Sequence, residues 1–271
     1  MNPIAINSIS KDLEAAATFC RQKKIGIEIT DFAFPKNLDS DLSLQIERVK
    51  RLTFGIAPIC SHGPFLDLIA NSMDPEIVEV SRKRHRTALE ATHAIGASKY
   101  IAHTNFNPMI RNKSYREGFC LKMREFWLPF ADWAGERKIT VCLENLWEPE
   151  ATIQKEIVFT CKHPNIKASF DNGHALVFSK QPASDWVRIL GSDLAHCHLH
   201  DNHGEYDEHA AIGTGTENWN SLIKAAYEYS PESVLVIECD QFDKNRKSFE
   251  EFKRFQKGAA AIGRGAGAPR P

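Results

Sequence analysis

The chain has 271 residues, 42% of them hydrophobic, enough to fill a substantial core as one large domain or two small ones. Lys and Arg (34) nearly balance Asp and Glu (35), so the formal net charge of -1 offers no bulk attraction to nucleic acid or to an anionic membrane surface. No window reaches the roughly 18 apolar residues of a membrane span, no basic-then-apolar leader opens the chain, and seven cysteines without a Cys-x-x-Cys pair fit buried, reduced thiols in a cytoplasmic protein.

The first predicted element is a strand over Ile4–Asn7, followed by a helix over Asp12–Lys23 behind Ser8 and Ser10, both suitable N-caps. A strand over Ile25–Thr30, a helix over Leu42–Arg51 and a strand over Phe54–Cys60 come next. Asp74–Ile95 reads as a helix with Pro75 in its first turn, a favoured place for proline, and leads to a strand over Lys99–His103. An amphipathic, aromatic-rich helix over Tyr115–Arg137 precedes a strand over Thr140–Leu143. Shorter helices over Ile153–Cys161 and Ala183–Leu190 alternate with strands over Ala168–Asp171 and Ala195–His200. A helix over Glu217–Tyr229, a strand over Val234–Cys239 and a helix over Ser248–Lys257 complete the series. Residues 258–271 are small and low in complexity and read as a flexible or loosely docked tail on a barrel spanning 1–257.

Strict alternation of eight strands with helices implies parallel strands joined by right-handed crossovers. Eight such units close into a single-domain α/β fold, the (β/α)8 TIM barrel of about 250 residues. A doubly wound open sheet is the weaker reading, because no Gly-x-Gly-x-x-Gly follows the first strand.

The polar residues at the C-terminal ends of these strands form a series: His62, His103, Glu144, Asp171 with His174 in the following loop, His198 and His200 with Asp207 and His209 beyond, and Glu238. In a parallel barrel these ends share one face, where barrel enzymes build their active sites. A buried ring of acids and imidazoles without a cation would cost several kcal/mol per desolvated group, on the order of what a divalent ion offsets. Alternation sets His196, His198 and His200 on one face of their strand and Cys197 and Leu199 on the other, with His196 a layer deeper as a hydrogen-bonded core residue. His85, His93 and His163 fall on helices or in loops and read as surface residues. Phe32, Phe34, Phe65 and Trp147 lie near strand ends and suit either sugar stacking or rim packing. Gly213-Thr214-Gly215 suits a turn better than a phosphate site.

These residues resemble the xylose-isomerase-like barrel superfamily, which includes tagatose/psicose 3-epimerases and the endonuclease IV family of abasic-site nucleases. The resemblance runs from the second strand to the eighth. It is carried by Leu143-Glu144-Asn145, Phe170-Asp171-Asn172-Gly173-His174, His198-Leu199-His200-Asp201-Asn202, Asp207-Glu208-His209, Ile212-Gly213-Thr214-Gly215 and Ile237-Glu238. The epimerase branch implies a divalent ion (Mn, Zn, Mg or Co) on Glu144, Asp171, His198 and Glu238, with His174 against substrate. The nuclease branch implies three zincs and adds His62, His103, His174, Asp207 and His209 as ligands. The nuclease family's N-terminal segments have no match in Met1–Asn37, and only Arg111, Lys113 and Arg116 form a modest basic cluster. Nucleic acid is therefore disfavoured.

The expected activity is isomerisation or epimerisation of a sugar or sugar phosphate through an enediolate. Glu144 and Glu238 are the expected acid and base, and His174 and His200 the hydrogen-bonding partners for substrate hydroxyls. An abasic-DNA zinc phosphodiesterase and a non-catalytic sugar-binding barrel are the alternatives, and a homodimer is the default assembly.

Overall fold

The computed structural model describes residues 2–265. Eight strands pair parallel in sequence order, and the last returns to the first to close the barrel. They are β1 (Ile4–Ser8), β2 (Gly26–Ile29), β3 (Ile59–His62), β4 (Lys99–His103), β5 (Thr140–Glu144), β6 (Ile166–Asp171), β7 (Leu194–Leu199) and β8 (Val234–Ile237). The helices are α1 (Leu13–Lys23), α2 (Pro35–Leu38), α3 (Leu42–Thr53), α4 (Pro75–Ala94), α5 (Lys113–Glu136), α6 (Ala151–Cys161), α7 (Asn172–Phe178), α8 (Ala183–Leu190), α9 (Trp219–Tyr229) and α10 (Phe242–Gly265). Among the described residues no helix is long and apolar enough to cross a membrane.

The core has two parts, and strand alternation creates both. Outward-facing side chains such as Ile27, Ile29, Leu143, Phe170, Cys197 and Leu199 pack against the helices in one large cluster. Inward-facing Ala5, Cys60, Ile101, Cys142, Val234 and Val236 form a separate small cluster that plugs the barrel. The positions next to the outward set therefore point inward: Glu28, Glu144, Asp171, His196 and His198. Register puts them at matched heights, with His103 beside Glu144 and Asp171 beside His198.

Several local expectations shift. The third strand starts at Ile59, not Phe54, because the chain turns at Gly55 (φ +77°) before it can extend. That brings His62 inside the strand as its last residue. His174 sits on the first turn of α7 rather than in a loop; Asp171 caps that helix by accepting from the His174 amide at 2.7 Å. Helix α10 begins at Phe242 and continues to Gly265, beyond the boundary at 257 expected from composition; residues 266–271 of the expected tail lie outside the described ones.

His85 is not a surface residue. It is buried on α4, shares a 2.8 Å hydrogen bond with the Tyr100 hydroxyl, and packs edge-on against Trp127 and Phe126. Its position on the core-facing side of an amphipathic helix overrides its polarity. All seven cysteines are buried and free.

Candidate metal centre

Strands β3 to β8 and the segments that follow them deliver ten acids and imidazoles to one mouth, and residues far apart in the chain meet there. The His198 ring is the hub. Its Nδ1 lies 2.9 Å from Glu144 Oε1, 3.3 Å from Glu238 Oε2 and 3.8 Å from Asp171 Oδ2. Its other nitrogen, Nε2, lies 2.7 Å from Glu28 Oε1. The second Glu28 oxygen meets His196 Nε2 at 2.8 Å, and His196 Nδ1 meets Ser169 Oγ at the same distance. His196 is thus the hydrogen-bonded core residue expected from its depth.

Backbone carbonyls set the tautomers of three further histidines. A carbonyl only accepts, so the facing nitrogen must carry the proton. His62 Nδ1 donates to Gly63 O at 2.7 Å, His174 Nδ1 to Asn145 O at 2.9 Å and His209 Nδ1 to Glu238 O at 3.2 Å. Each Nε2 is left facing a carboxylate: His62 toward Glu144 Oε2 (3.4 Å), His174 toward Asp207 (3.4 Å) and His209 toward Asp207 (3.1 Å). Fixing one ring nitrogen so that the other faces a cluster of acids is how proteins orient imidazole ligands.

Electrostatics follow from this packing. Burial alone would raise the Glu144 carboxyl, but His198 and His103 outweigh it and hold it well below the usual carboxylate range. Burial opposes a charge on His198, yet Glu238, Glu144 and Glu28 lift it well above an ordinary imidazole. His103 goes the other way; burial dominates and lowers it to about 3. His209 is lifted against burial to about 9 by Asp207 and Glu238.

The donor set fits a divalent ion. Several triads bring ligand atoms within 4.8 Å of one another, including Asp171–His198–Glu238, Glu144–Asp171–His174 and His62–Glu144–His198. Glu144 Oε2 and His200 Nδ1 are buried without a hydrogen-bond partner, and a buried carboxylate oxygen without a partner is the kind of atom a cation satisfies.

A cavity of about 1200 Å³ opens above this cluster. Glu144, Glu238, His62, His103, His174, Asp207 and His209 line it, whereas Asp171, His198 and His200 are fully buried beneath. His200, expected to meet substrate hydroxyls, therefore does not face the cavity. It stacks on His209 (4.1 Å, 10°), and its Nε2 lies 3.2 Å from both Asp171 oxygens. Phe34, Phe65 and Trp147 reach the cavity, but Phe32 is buried away from it. The Gly213-Thr214-Gly215 segment is a turn. The Gly213 and Glu217 amides and the Trp219 indole all donate to the buried Asp201 carboxylate, and the segment does not line the cavity.

A family model described as xylose isomerase-like TIM barrel matches residues 21–258. The chain belongs to the xylose isomerase-like TIM barrel family. A curated relative of this xylose isomerase-like barrel is the uncharacterized protein MJ1311 of Methanocaldococcus jannaschii, 26% identical over 242 residues covering 86% of this chain and 79% of that one. Among solved structures, the TTHB071 protein from Thermus thermophilus, soaked with ZnCl2, superposes with a TM-score of 0.79 at 20% identity, covering 94% of this chain and 98% of that one. A D-tagatose 3-epimerase-like protein gives 0.76 at 21% identity, covering 96% and 99%. At these identities the likeness is one of fold.

One member of the centre of this xylose isomerase-like barrel is absent from the expected set. Glu28 sits in the middle of β2, whereas the acids expected from sequence lie at strand ends. The available signal was a lone acid between Ile27 and Ile29, where a solvent-facing residue is implausible in a strand buried on both sides. Asn145 and Asn172 also act behind the cluster. Asn145 exchanges two hydrogen bonds with the Asp171 backbone (2.8 and 3.0 Å), and Asn172 does the same with His200 (3.1 and 3.0 Å).

Proposed function

We propose that this barrel is a divalent-metal-dependent sugar isomerase/epimerase that moves a proton at a carbon next to a carbonyl. One observation carries the reading. Glu144 ends β5 and Glu238 follows β8; both line the cavity, and both reach the same buried His198 nitrogen, at 2.9 and 3.3 Å. Asp171 and His198, sealed below, would hold the ion, with Glu144 and Glu238 completing its ligand set. A bound divalent cation supplies Lewis-acid polarisation of the substrate carbonyl. The carboxylates then do the proton work: one takes the proton from the neighbouring carbon and the other returns it from the far face. The imidazoles around Glu144 keep it ionised, which is the form a base requires. His174, on the cavity wall, is placed to donate to a substrate oxygen through Nε2 once Asp207 is engaged elsewhere. The D-tagatose 3-epimerase-like neighbour supports the chemistry, and the zinc-soaked TTHB071 makes zinc one of the ions to test, although three carboxylates with one imidazole suit manganese or magnesium as well.

The test is incorporation of solvent deuterium next to the carbonyl of a panel of ketoses, followed by NMR. Wild type loaded with Zn or Mn should exchange, and Glu238→Gln should lose exchange while keeping its fold by circular dichroism. A Glu238→Gln protein that exchanges at the wild-type rate refutes the two-carboxylate scheme.

A second reading, a multi-zinc phosphodiesterase, draws support from the additional triad His200–His209–Glu238. Elemental analysis separates the two: one ion per chain fits the isomerase, about three the phosphodiesterase.

A further inference from the structure

The cavity is lopsided. Its floor carries the acids and imidazoles, and the segments after β3, β4 and β5 add a group of large apolar side chains to its rim. Leu66, Ile69, Met73, Ile110, Phe119 and Trp147 make up that group, and all but Phe119 are left 40–89% exposed. Scattered exposed apolar residues are ordinary, but five converging on one cavity beside a candidate reaction centre are not.

The segment that carries three of them is held open rather than free to collapse. The Ile69 amide donates to Ser81 Oγ at 3.0 Å, and Asn105 Nδ2 donates to Leu68 O at 2.6 Å. Lys122 Nζ donates to the Asn71 and Ser72 carbonyls, both at 3.2 Å. These bonds fix the backbone, so the side chains stand as a wall of the cavity.

The same lysine bears on charge. Among the described residues Lys122 is the one Lys or Arg lining the cavity, and its ammonium is taken up by those carbonyls. The acids Asp67, Glu144, Asp207, Glu238 and Asp240 also line it. Apart from the proposed ion and the histidines that pair with Asp207, a phosphate would find no free lysine or arginine there. The volume, about 1200 Å³, also exceeds the roughly 300–1,000 Å³ that holds a drug-sized ligand, far more than a simple sugar fills.

We infer that the substrate is an uncharged polyhydroxy carbonyl compound bearing a bulky apolar group, its oxygens at the acid–imidazole cluster and its apolar group against the Leu66–Ile110–Trp147 wall. The inference rests on the reading of the cluster as a site for a carbonyl compound. It narrows the sequence-based expectation of a sugar or sugar phosphate to a non-phosphorylated one.

Three probes share one α-hydroxyketone unit: dihydroxyacetone, 2-hydroxyacetophenone and dihydroxyacetone phosphate. Calorimetric titration of the full-length protein, metal-loaded and metal-stripped, gives the affinity for each. The expected result is at least about tenfold tighter binding of the phenyl probe than of dihydroxyacetone, with the phosphate weakest. Leu66→Asp and Ile110→Asp, both at exposed positions, should each erase that ratio. A phenyl probe no tighter than dihydroxyacetone, a phosphate that binds best, or a ratio untouched in both variants overturns the inference. The ratio is read with and without metal. Affinities that ignore the metal would sink the proposed chemistry while leaving the phenyl preference to be judged by itself.

Discussion

Glu28 offers the sharpest test of how this centre is built. It accepts from His198 Nε2 at 2.7 Å and His196 Nε2 at 2.8 Å, with every partner fully buried. The bond to His198 keeps that nitrogen protonated, so Nδ1, which without a metal donates to Glu144, is the nitrogen whose lone pair a cation among Glu144, Asp171 and Glu238 would meet. It also makes the imidazole more electron-rich, so a ligand donates better. Two substitutions separate these effects. In Glu28→Gln the amide oxygen still accepts from His198, and its NH2 donates to His196 once that ring moves its own proton to Nδ1, where Ser169 Oγ accepts it. Only the charge is lost, and metal affinity should fall about tenfold, or about 1.4 kcal/mol. In Glu28→Ala the His198 N–H loses its partner in a dry site, and the ring is free to adopt the tautomer that faces the carboxylates with a proton. Affinity should then fall about a hundredfold, about 2.7 kcal/mol. Zinc titration against a chromophoric chelator measures both, with urea melts of the metal-free proteins to confirm folding. If both variants hold zinc as tightly as wild type, the assignment of His198 Nδ1 as the metal-facing atom is wrong.

Asp171→Ala and His198→Ala should each empty the site by elemental analysis. Asp171→Ala should also cost the metal-free protein about 0.5–2 kcal/mol in urea unfolding through the lost helix cap, a penalty Asp171→Asn should largely escape. Gly173→Ala drives a methyl into the His200 ring and should destabilise by about 1–3 kcal/mol; an unchanged urea midpoint would show that the His200 ring yields freely. His85, lowered to about 3 by burial with a smaller contribution from His62, binds fewer protons folded than unfolded. Between about 3 and its unfolded value near 6.5, stability should therefore rise with pH and be lost on acidification, by up to about 1.4 kcal/mol per pH unit. His85→Gln should flatten that slope in urea melts from about pH 4.5 to 7, and parallel slopes would contradict the neutral buried imidazole.

The barrel was legible because its evidence is periodic: eight apolar runs spaced by amphipathic segments allow few closures. The strand-end acids and imidazoles were legible for the same reason, since topology alone sends those ends to one face. Glu28 escaped that logic. Its partners are two histidines 168 and 170 positions away, and the lone acid between Ile27 and Ile29 shows only that the position is buried, not which groups it meets. His85 was misjudged because one polar residue on a helix is silent about which face it occupies until Tyr100 and Trp127 arrive beside it. His200 was placed on the correct face of its strand, but its depth depends on His209 folding back over it from a loop.

Asp171 serves two masters, and that restricts how the barrel can diversify. Its Oδ1 starts helix α7 while its Oδ2 faces the His198 and His200 rings. Exchanging this carboxylate for a thiolate or an imidazole, the ordinary route to a softer binding pocket, would unseat the first turn of α7 and carry His174 off the wall with it. Retuning the proposed ion site is less constrained at Glu238, which follows β8 with no helix hanging from its side chain.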